Sequence, residues 1–344
     1  MKIKNIILII IALILIITAT TGSSFYKKIY SSNVTEDATL FIPSNTTYEK
    51  VKEEIEKHVK DIGSFDWLAD KKNYPNLIKS GRYLIEKGMS NNELINLLRS
   101  GEQSPLTLTF NNQDNLEKLA GRIASQIEPD SVAVLQAILD PEFLSKNNLS
   151  KQTLIGIFIP NSYEIYWNTS AEKLRDRMLA EYNRFWTNER VSKAKKLGLT
   201  KNEVITLASI VQKETAKVSE RTTVAGLYLN RLRDNWALQA DPTIIYALKQ
   251  KKGQDYEVKR VLFADLLIDS PYNTYKNTGL PPGPIAMPDI SSIDAVLNPK
   301  KHNYYFMVAS ITEPGGHVFA KSLAQHNQNA RKYREWVNKQ GINR

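Results

Sequence analysis

The chain has 344 residues, 42% of them hydrophobic, enough for a sizeable core and roughly two domains beyond a targeting segment. It carries 46 Lys and Arg against 36 Asp and Glu, a net charge of +10, and no cysteine, so disulfides and thiolate metal sites are excluded. The positive surplus points to a polyanionic neighbour; the basic residues are spread along the chain with no Arg-rich arm, which fits a membrane or wall surface and not nucleic acid.

The first stretch, MKIKNIILIIIALILIITATTGSS, sets Lys2 and Lys4 before an unbroken apolar run from Ile6 to Ile17. With its Thr/Ala tail the run is about 17 residues, at the short end for a spanning helix. Residues 1–22 read as a transmembrane anchor in the cytoplasmic (inner) membrane. Its lysines stay on the cytoplasmic side, and everything after residue 23 faces the wall or periplasm. A cleaved signal peptide is the competing reading, because small residues cluster at 18–24; the run is longer than a usual signal core and no A-x-A site follows. Residues 23–38, SSFYKKIYSSNVTEDA, read as a polar linker.

Residues 39–110 have the pattern of a small α+β module. TLFIP (39–43) and GRYLIEKG (81–88) read as strands, and LTLTF (106–110) alternates as a half-buried strand does. Thr46 with Glu49 and Ser90 with Glu93 are spaced as capping boxes, the second opening a helix that stops at Gly101. Residues 111–344 read as a mainly helical domain. Capping pairs at Asp114/Glu117, Thr169/Glu172 and Thr200/Glu203 open helices. YYFMVAS (304–310) reads as a strand, ITEPGGHVFA as a hairpin turning at Gly315–Gly316, and a last helix follows Ser322.

One helix carries the chemistry. Leu207, Ile210, Val211 and Glu214 recur at helical spacing, so one face holds three aliphatic side chains and a carboxylic acid. A glutamate stripped of water has its pKa pushed up from about 4.3. An acid still protonated near neutral pH can give its proton to a leaving oxygen. The plainer reading is a glutamate that reaches the helix edge or pairs with Lys213, Lys217, Arg221 or Arg231. After Glu214 the chain supplies Glu220, Asn230, Arg231, Gln239, Asp241 and Thr243. It then enters DSPYNTYKNTGLPPGPIAMP (269–288), a loop stiffened by proline. Its rings and amides suit a polysaccharide groove, or simply hold a rigid loop.

LASIVQKET, SER, NRL, LQADPTIIYAL, SPYNTY with GLPPGPI, and HVFA with HN occur in the order seen in the endolytic murein transglycosylases, the MltG or YceG-like family. The chain resembles that family over nearly its whole length. The resemblance implies a LysM-like module at 39–110 and a YceG-like catalytic domain at 111–344. It also implies cleavage of peptidoglycan glycan strands between N-acetylmuramic acid and N-acetylglucosamine, leaving 1,6-anhydro ends. Glu214 of K-E-T then falls on the catalytic acid. Substrate contacts are expected among Glu220, Asn230, Arg231, Gln239, Asp241, Thr243, Tyr246, Tyr272, Asn273, Thr274, Tyr275, His326 and Asn327. No cofactor or metal is expected, and His302, His317 and His326 do not fall at metal-ligand spacing. Enzymes of peptidoglycan synthesis are the protein partners the resemblance suggests. The chain departs from the family pattern at Gln212, where many relatives are acidic, at Asn111–Asn112, and at Asn161 in IGIFIPNSYEIY (155–166). Two other functions fit the same groove: a wall-binding scaffold without turnover, and a hydrolytic muramidase in which Asp241 activates water.

Overall fold

The computed structural model describes residues 3–340, an α+β chain with two-stranded sheets. It divides into two compact units. One takes the chain up to residue 108 together with 126–129 and 163–170; the other takes 109–125, 130–162 and 171 onward.

The first unit begins with α1 (Ile3–Tyr30), none of whose residues is buried and which is apolar without a break from Ile6 to Ile17. At about 1.5 Å per residue it is long enough to cross a hydrocarbon core. Its threonine tail is compatible with that setting. Thr18 donates to Ile14 O at 2.9 Å and Thr21 to Ile17 O at 2.6 Å, so their hydroxyls are satisfied inside the helix. The segment read as a linker differs: it stays helical to Tyr30 and is then tied down. The Phe25 ring lies 5.5 Å from that of Trp67, Val34 is buried, and the Asn33 amide bridges Asp61 O (3.0 Å) and Asn91 Oδ1 (2.7 Å). Buried amides of this kind need partners, and here they find each other.

The module continues with β1 (Ala38–Ile42), α2 (Tyr48–Glu56), α3 (Ile62–Lys71), β2 (Gly81–Ile85), α4 (Asn91–Ser100) and β3 (Leu106–Phe110). Strands β1 and β2 pair antiparallel with Leu40 opposite Tyr83, and their alternation buries Leu40, Ile42, Tyr83 and Ile85 on one face. Val51, Ile55, Phe65, Leu94, Ile95 and Leu98 from the three helices close over that face. Helix α2 is capped by Thr47 and not Thr46. The Ser90/Glu93 capping box forms as the spacing predicts, and α4 ends at Gly101 with φ 74°.

The second unit contains α5 (Leu116–Ala124), α6 (Ser131–Ile138), α7 (Pro141–Lys146), α8 (Ala171–Phe185), α9 (Asn188–Lys196), α10 (Lys201–Glu214), α11 (Arg221–Arg233), α12 (Asp241–Lys252) and α13 (Ile290–Leu297). Strand β4 (Asn161–Ile165), whose last three residues belong with the first unit as do the first three of β3, is the partner of β3. A hairpin of β5 (Phe306–Ala309) and β6 (His317–Ala320) follows, and then α14 (Leu323–Lys339). Asn115, not Asp114, caps α5; Asp114 instead takes Lys213 at 2.6 Å and Lys118 at 3.0 Å. Thr169 caps nothing, since its hydroxyl donates back to Tyr166 O at 2.7 Å.

Helix α10 is the axis of this unit. Every residue from Val204 to Val211 is buried, with α9, α11, α12 and α13 packed around it. A helix apolar on all sides belongs in a core. Its polar members are satisfied: Thr206 donates to Asn202 O (2.8 Å), and Ser209 donates to Thr206 O (2.7 Å) while accepting from Ile285 N (3.0 Å). That last bond fastens the Pro-rich segment to α10. Gly283 lets the segment approach closely, because a Cβ there would lie 2.3 Å from Gln152 O.

Candidate active site

Glu214 is the last residue of α10, and its side chain enters a cavity of about 410 Å³. The capping box at Thr200/Glu203 fixes where α10 starts, and Thr215, in extended backbone, ends it. The cavity is also lined by Tyr228 and Arg231 from α11, Gln239 and Asp241 at the entry to α12, Tyr275, the β5 strand, His317, Leu323 and His326.

The Glu214 carboxyl keeps a little accessible surface through the cavity, but protein packs tightly around it. Burial pushes it from the usual 4.5 up to about 7. The hydrogen bond from Tyr228 opposes the rise, nearby Asp241 adds to it, and Arg231 opposes it. The C-terminal end of a helix also disfavours an anion. Tyr228 is 1% exposed and donates its hydroxyl to Glu214 Oε1 at 2.7 Å. Burial, and then the neighbouring carboxyl, hold that phenol well above its ordinary range, so it remains a donor.

Arg231 is buried beside them and spends its guanidinium on backbone. Nη1 donates to Leu238 O at 2.6 Å, and Nε and Nη2 donate to Tyr305 O at 2.8 and 2.6 Å. It thereby ties the start of the β5 strand to the loop before α12, while its charge faces the cavity. Asp241 is exposed to the cavity and accepts from the Tyr275 hydroxyl at 2.5 Å. Gln239 projects from a left-handed backbone, φ 51°, a costly conformation for a residue with a Cβ. His326 stacks on Phe306 with centroids 5.3 Å apart; burial, and then Arg231, hold its pKa down.

The expected contacts thus separate by place. Glu214, Arg231, Gln239, Asp241, Tyr275 and His326 meet at one cavity. Asn230, Thr243, Asn273 and Thr274 are buried and hold backbone. Asn230 donates to His302 O (2.9 Å) and Tyr304 O (3.1 Å). Asn273 donates to Leu266 O (2.9 Å) and Ile268 O (2.8 Å). Thr243 donates to Ala240 O (2.7 Å), and the Thr274 hydroxyl accepts from Ala240 N (3.0 Å). Tyr246 and Tyr272 pack ring on ring at 4.6 Å, and Tyr246 lines a different, smaller cavity with Asp114 and Lys213. Asn327 is exposed and does not line the cavity.

Glu220 is a bracket for the hairpin. Its Oε1 accepts from His317 N at 2.8 Å, and its Oε2 faces His317 Nδ1 at 3.0 Å. Gln212 is likewise structural, since its Oε1 accepts from Asp289 N and from Ser292 Oγ. His302 bridges Thr223 O (2.9 Å) and Tyr304 N (3.1 Å). Among the described residues no group of three or more His, Asp or Glu side chains is placed to share a metal ion. Tyr228 was not among the expected contacts, nor were His317 and the β5 strand, which the sequence marked only as a histidine off metal-ligand spacing and an apolar strand. Tyr228 had a signal: Val224, Leu227, Tyr228 and Arg231 repeat the helical spacing that singled out Glu214.

Residues 40–332 match the model of the YceG-like family. A curated relative from Streptococcus pneumoniae serotype 2, named endolytic murein transglycosylase, is 32% identical over 327 residues, which is 87% of this chain and 58% of the relative. The chain therefore spans 58% of the length of that pneumococcal protein. A Bacillus subtilis protein of the same name is 30% identical over 334 residues, covering 91% of this chain and 90% of its own. A crystal structure of a yceG-like protein from Listeria monocytogenes superposes with a TM-score of 0.57 at 27% identity, covering 85% of this chain and 98% of that one.

Proposed function

The chain belongs to the YceG-like family, and on that premise we propose that it is an endolytic murein transglycosylase with Glu214 as its single acid and base. The observation that carries the reading is a carboxyl pushed up to about 7 inside a cavity of about 410 Å³. Glu214 gives its proton to the glycosidic oxygen as the bond from that oxygen to C1 of the muramic acid breaks. The resulting carboxylate takes the proton of the C6 hydroxyl of the same sugar while O6 bonds to C1. Glu214 ends protonated, one product has a 1,6-anhydro end, the other a free 4-hydroxyl, and no water is consumed. Attack within one sugar benefits from the high effective molarity of a tethered nucleophile. Asp241, held by Tyr275, eases the positive charge that develops at the anomeric carbon.

The unburied apolar length of α1 supports a single-pass anchor, with the chain after it on the wall side of the membrane. Residues 39–110 are proposed as the LysM-like module and residues 111–344 as the YceG-like catalytic domain. The test is to digest purified glycan strands with the full-length protein in detergent micelles and identify the new ends by mass spectrometry. Anhydro ends are expected, and Glu214→Gln should make none. Reducing ends would mean hydrolysis; no cleavage at all would mean a scaffold. Cleavage surviving in Glu214→Gln would overturn the assignment of the acid.

A further inference from the structure

We propose that Tyr228 is a positioning residue that fixes which oxygen of Glu214 carries the acidic proton and sets the pH above which that proton is lost. The inference rests on Glu214 being the acid, and it goes beyond that reading by giving a role to a residue outside the reaction itself.

The geometry is specific. The Tyr228 hydroxyl is buried and has Glu214 Oε1 as its acceptor at 2.7 Å. In a neutral carboxylic acid one oxygen carries the hydrogen and the other accepts. With Oε1 taken as acceptor, Oε2 is left to hold the proton that is delivered. Once the proton has gone, the same phenol donates to a carboxylate, and a hydrogen bond to the charged form is the stronger one. Tyr228 therefore favours the ionised product of the first step over its reactant. Without it, Glu214 would hold its proton more tightly and give it up less readily.

The other groups around the carboxyl cannot take this place. On α11, Arg231 lowers Glu214's proton affinity only through its charge, because its N–H groups are committed to Leu238 O and Tyr305 O. Asp241 at the start of α12 pushes the opposite way. Tyr275 donates to Asp241. His317 on β6 is held by Glu220, and His326 on α14 is stacked on Phe306. Tyr228 supplies the hydrogen bond that opposes burial.

The test compares full-length wild type with Tyr228→Phe in detergent micelles on purified glycan strands, following kcat/KM across pH. Glu214→Gln serves as the inactive control. Wild type should lose activity as pH rises through about 7, where Glu214 deprotonates. Tyr228→Phe deletes one oxygen and keeps the ring, and should move that limb upward by about one pH unit or more. A fluorotyrosine placed at 228, a stronger donor, should move it downward. Opposite shifts from the two variants are not expected of a residue that only packs. Unmoved or same-direction limbs would overturn the proposal. Carbon NMR titration of the Glu214 carboxyl in the same variants reads the ionisation directly, without turnover. If the carboxyl titrates as predicted in a protein that cuts nothing, the tuning stands and the enzymatic reading falls. If cleavage depends on Glu214 but neither variant shifts its titration, the reverse holds.

Discussion

Replacing Glu214 with glutamine should do more than stop turnover: it should stabilise the fold, and only above acidic pH. The native carboxyl loses its proton near pH 7, whereas in an unfolded chain it would do so near 4.5. Between those values the folded protein binds a proton that the unfolded chain has released, so stability must fall as pH rises. The favourable contribution is complete below 4.5, erodes as pH climbs through the folded value of about 7, and is gone above it. At about 1.4 kcal/mol per unit, the full loss is roughly 3 kcal/mol. Glutamine at 214 has nearly the same shape, stays neutral, and keeps an oxygen for Tyr228 to donate to. It should escape the loss entirely. Urea denaturation of the full-length proteins in detergent micelles, followed by tryptophan fluorescence, provides the measurement. The stability gap in favour of Glu214→Gln should widen by roughly 2–3 kcal/mol between pH 5 and pH 8 and then stay flat. Comparing the two proteins at each pH cancels every other titrating group they share. A gap that does not change with pH would mean this carboxyl ionises like a free one, and the argument for a stored proton would fail.

Arg231→Ala should strand the carbonyls of Leu238 and Tyr305 and cost roughly 2–5 kcal/mol in chemical denaturation, with Arg231→Lys recovering only part because an ammonium cannot reproduce the fork. Asn273→Ala leaves Leu266 O and Ile268 O unpaired. It should cost roughly 1–3 kcal/mol and lower kcat/KM, although its side chain makes its bonds away from the cavity. Gln239→Gly relieves a left-handed backbone at φ 51° and should gain up to about 1 kcal/mol in the same denaturation assay. It also deletes a cavity-lining side chain, so KM on glycan strands should rise.

Much of the fold could be read from local chemistry. Capping at Ser90/Glu93 and Thr200/Glu203, the Gly101 stop, the β5–β6 hairpin and the Ser322 start are decisions made within a few residues, and each appears where its spacing put it. The misreadings arise where neighbouring residues offer the same cap: Thr46 and Thr47 are adjacent candidates for one, and Asp114 and Asn115 for another, where a distant partner decides. Asp114 is taken by two lysines, one of them ninety-nine positions along the chain, which leaves Asn115 to cap α5. Residues 23–30 look like a linker by polarity. They stay helical because Phe25 and Ile29 find the module's surface, a contact that no window of sequence contains.

The site divides along a different line. Sequence can say that a Pro-rich segment with Asn, Thr and Tyr will be rigid and polar, but holding a loop and gripping a sugar require the same residue types. Direction separates them. In SPYNTY, Asn273 and Thr274 turn inward and saturate backbone groups, while Tyr275, one residue further, reaches Asp241 at the cavity. The inward pair cannot be exchanged for apolar residues, because the carbonyls of Leu266 and Ile268 and the N–H of Ala240 would lose these partners. The shape of the cavity therefore depends on polar residues that do not line it. Glu214 shows the converse: its position was legible because a carboxylate on an otherwise aliphatic stretch is costly unless something uses it. What could not be read from α10 was the second helix that meets the carboxyl. Tyr228 sits on a face of α11 whose pattern, two aliphatic residues, a tyrosine and an arginine, resembles ordinary amphipathic packing. It becomes part of a site only when α10 ends beside it.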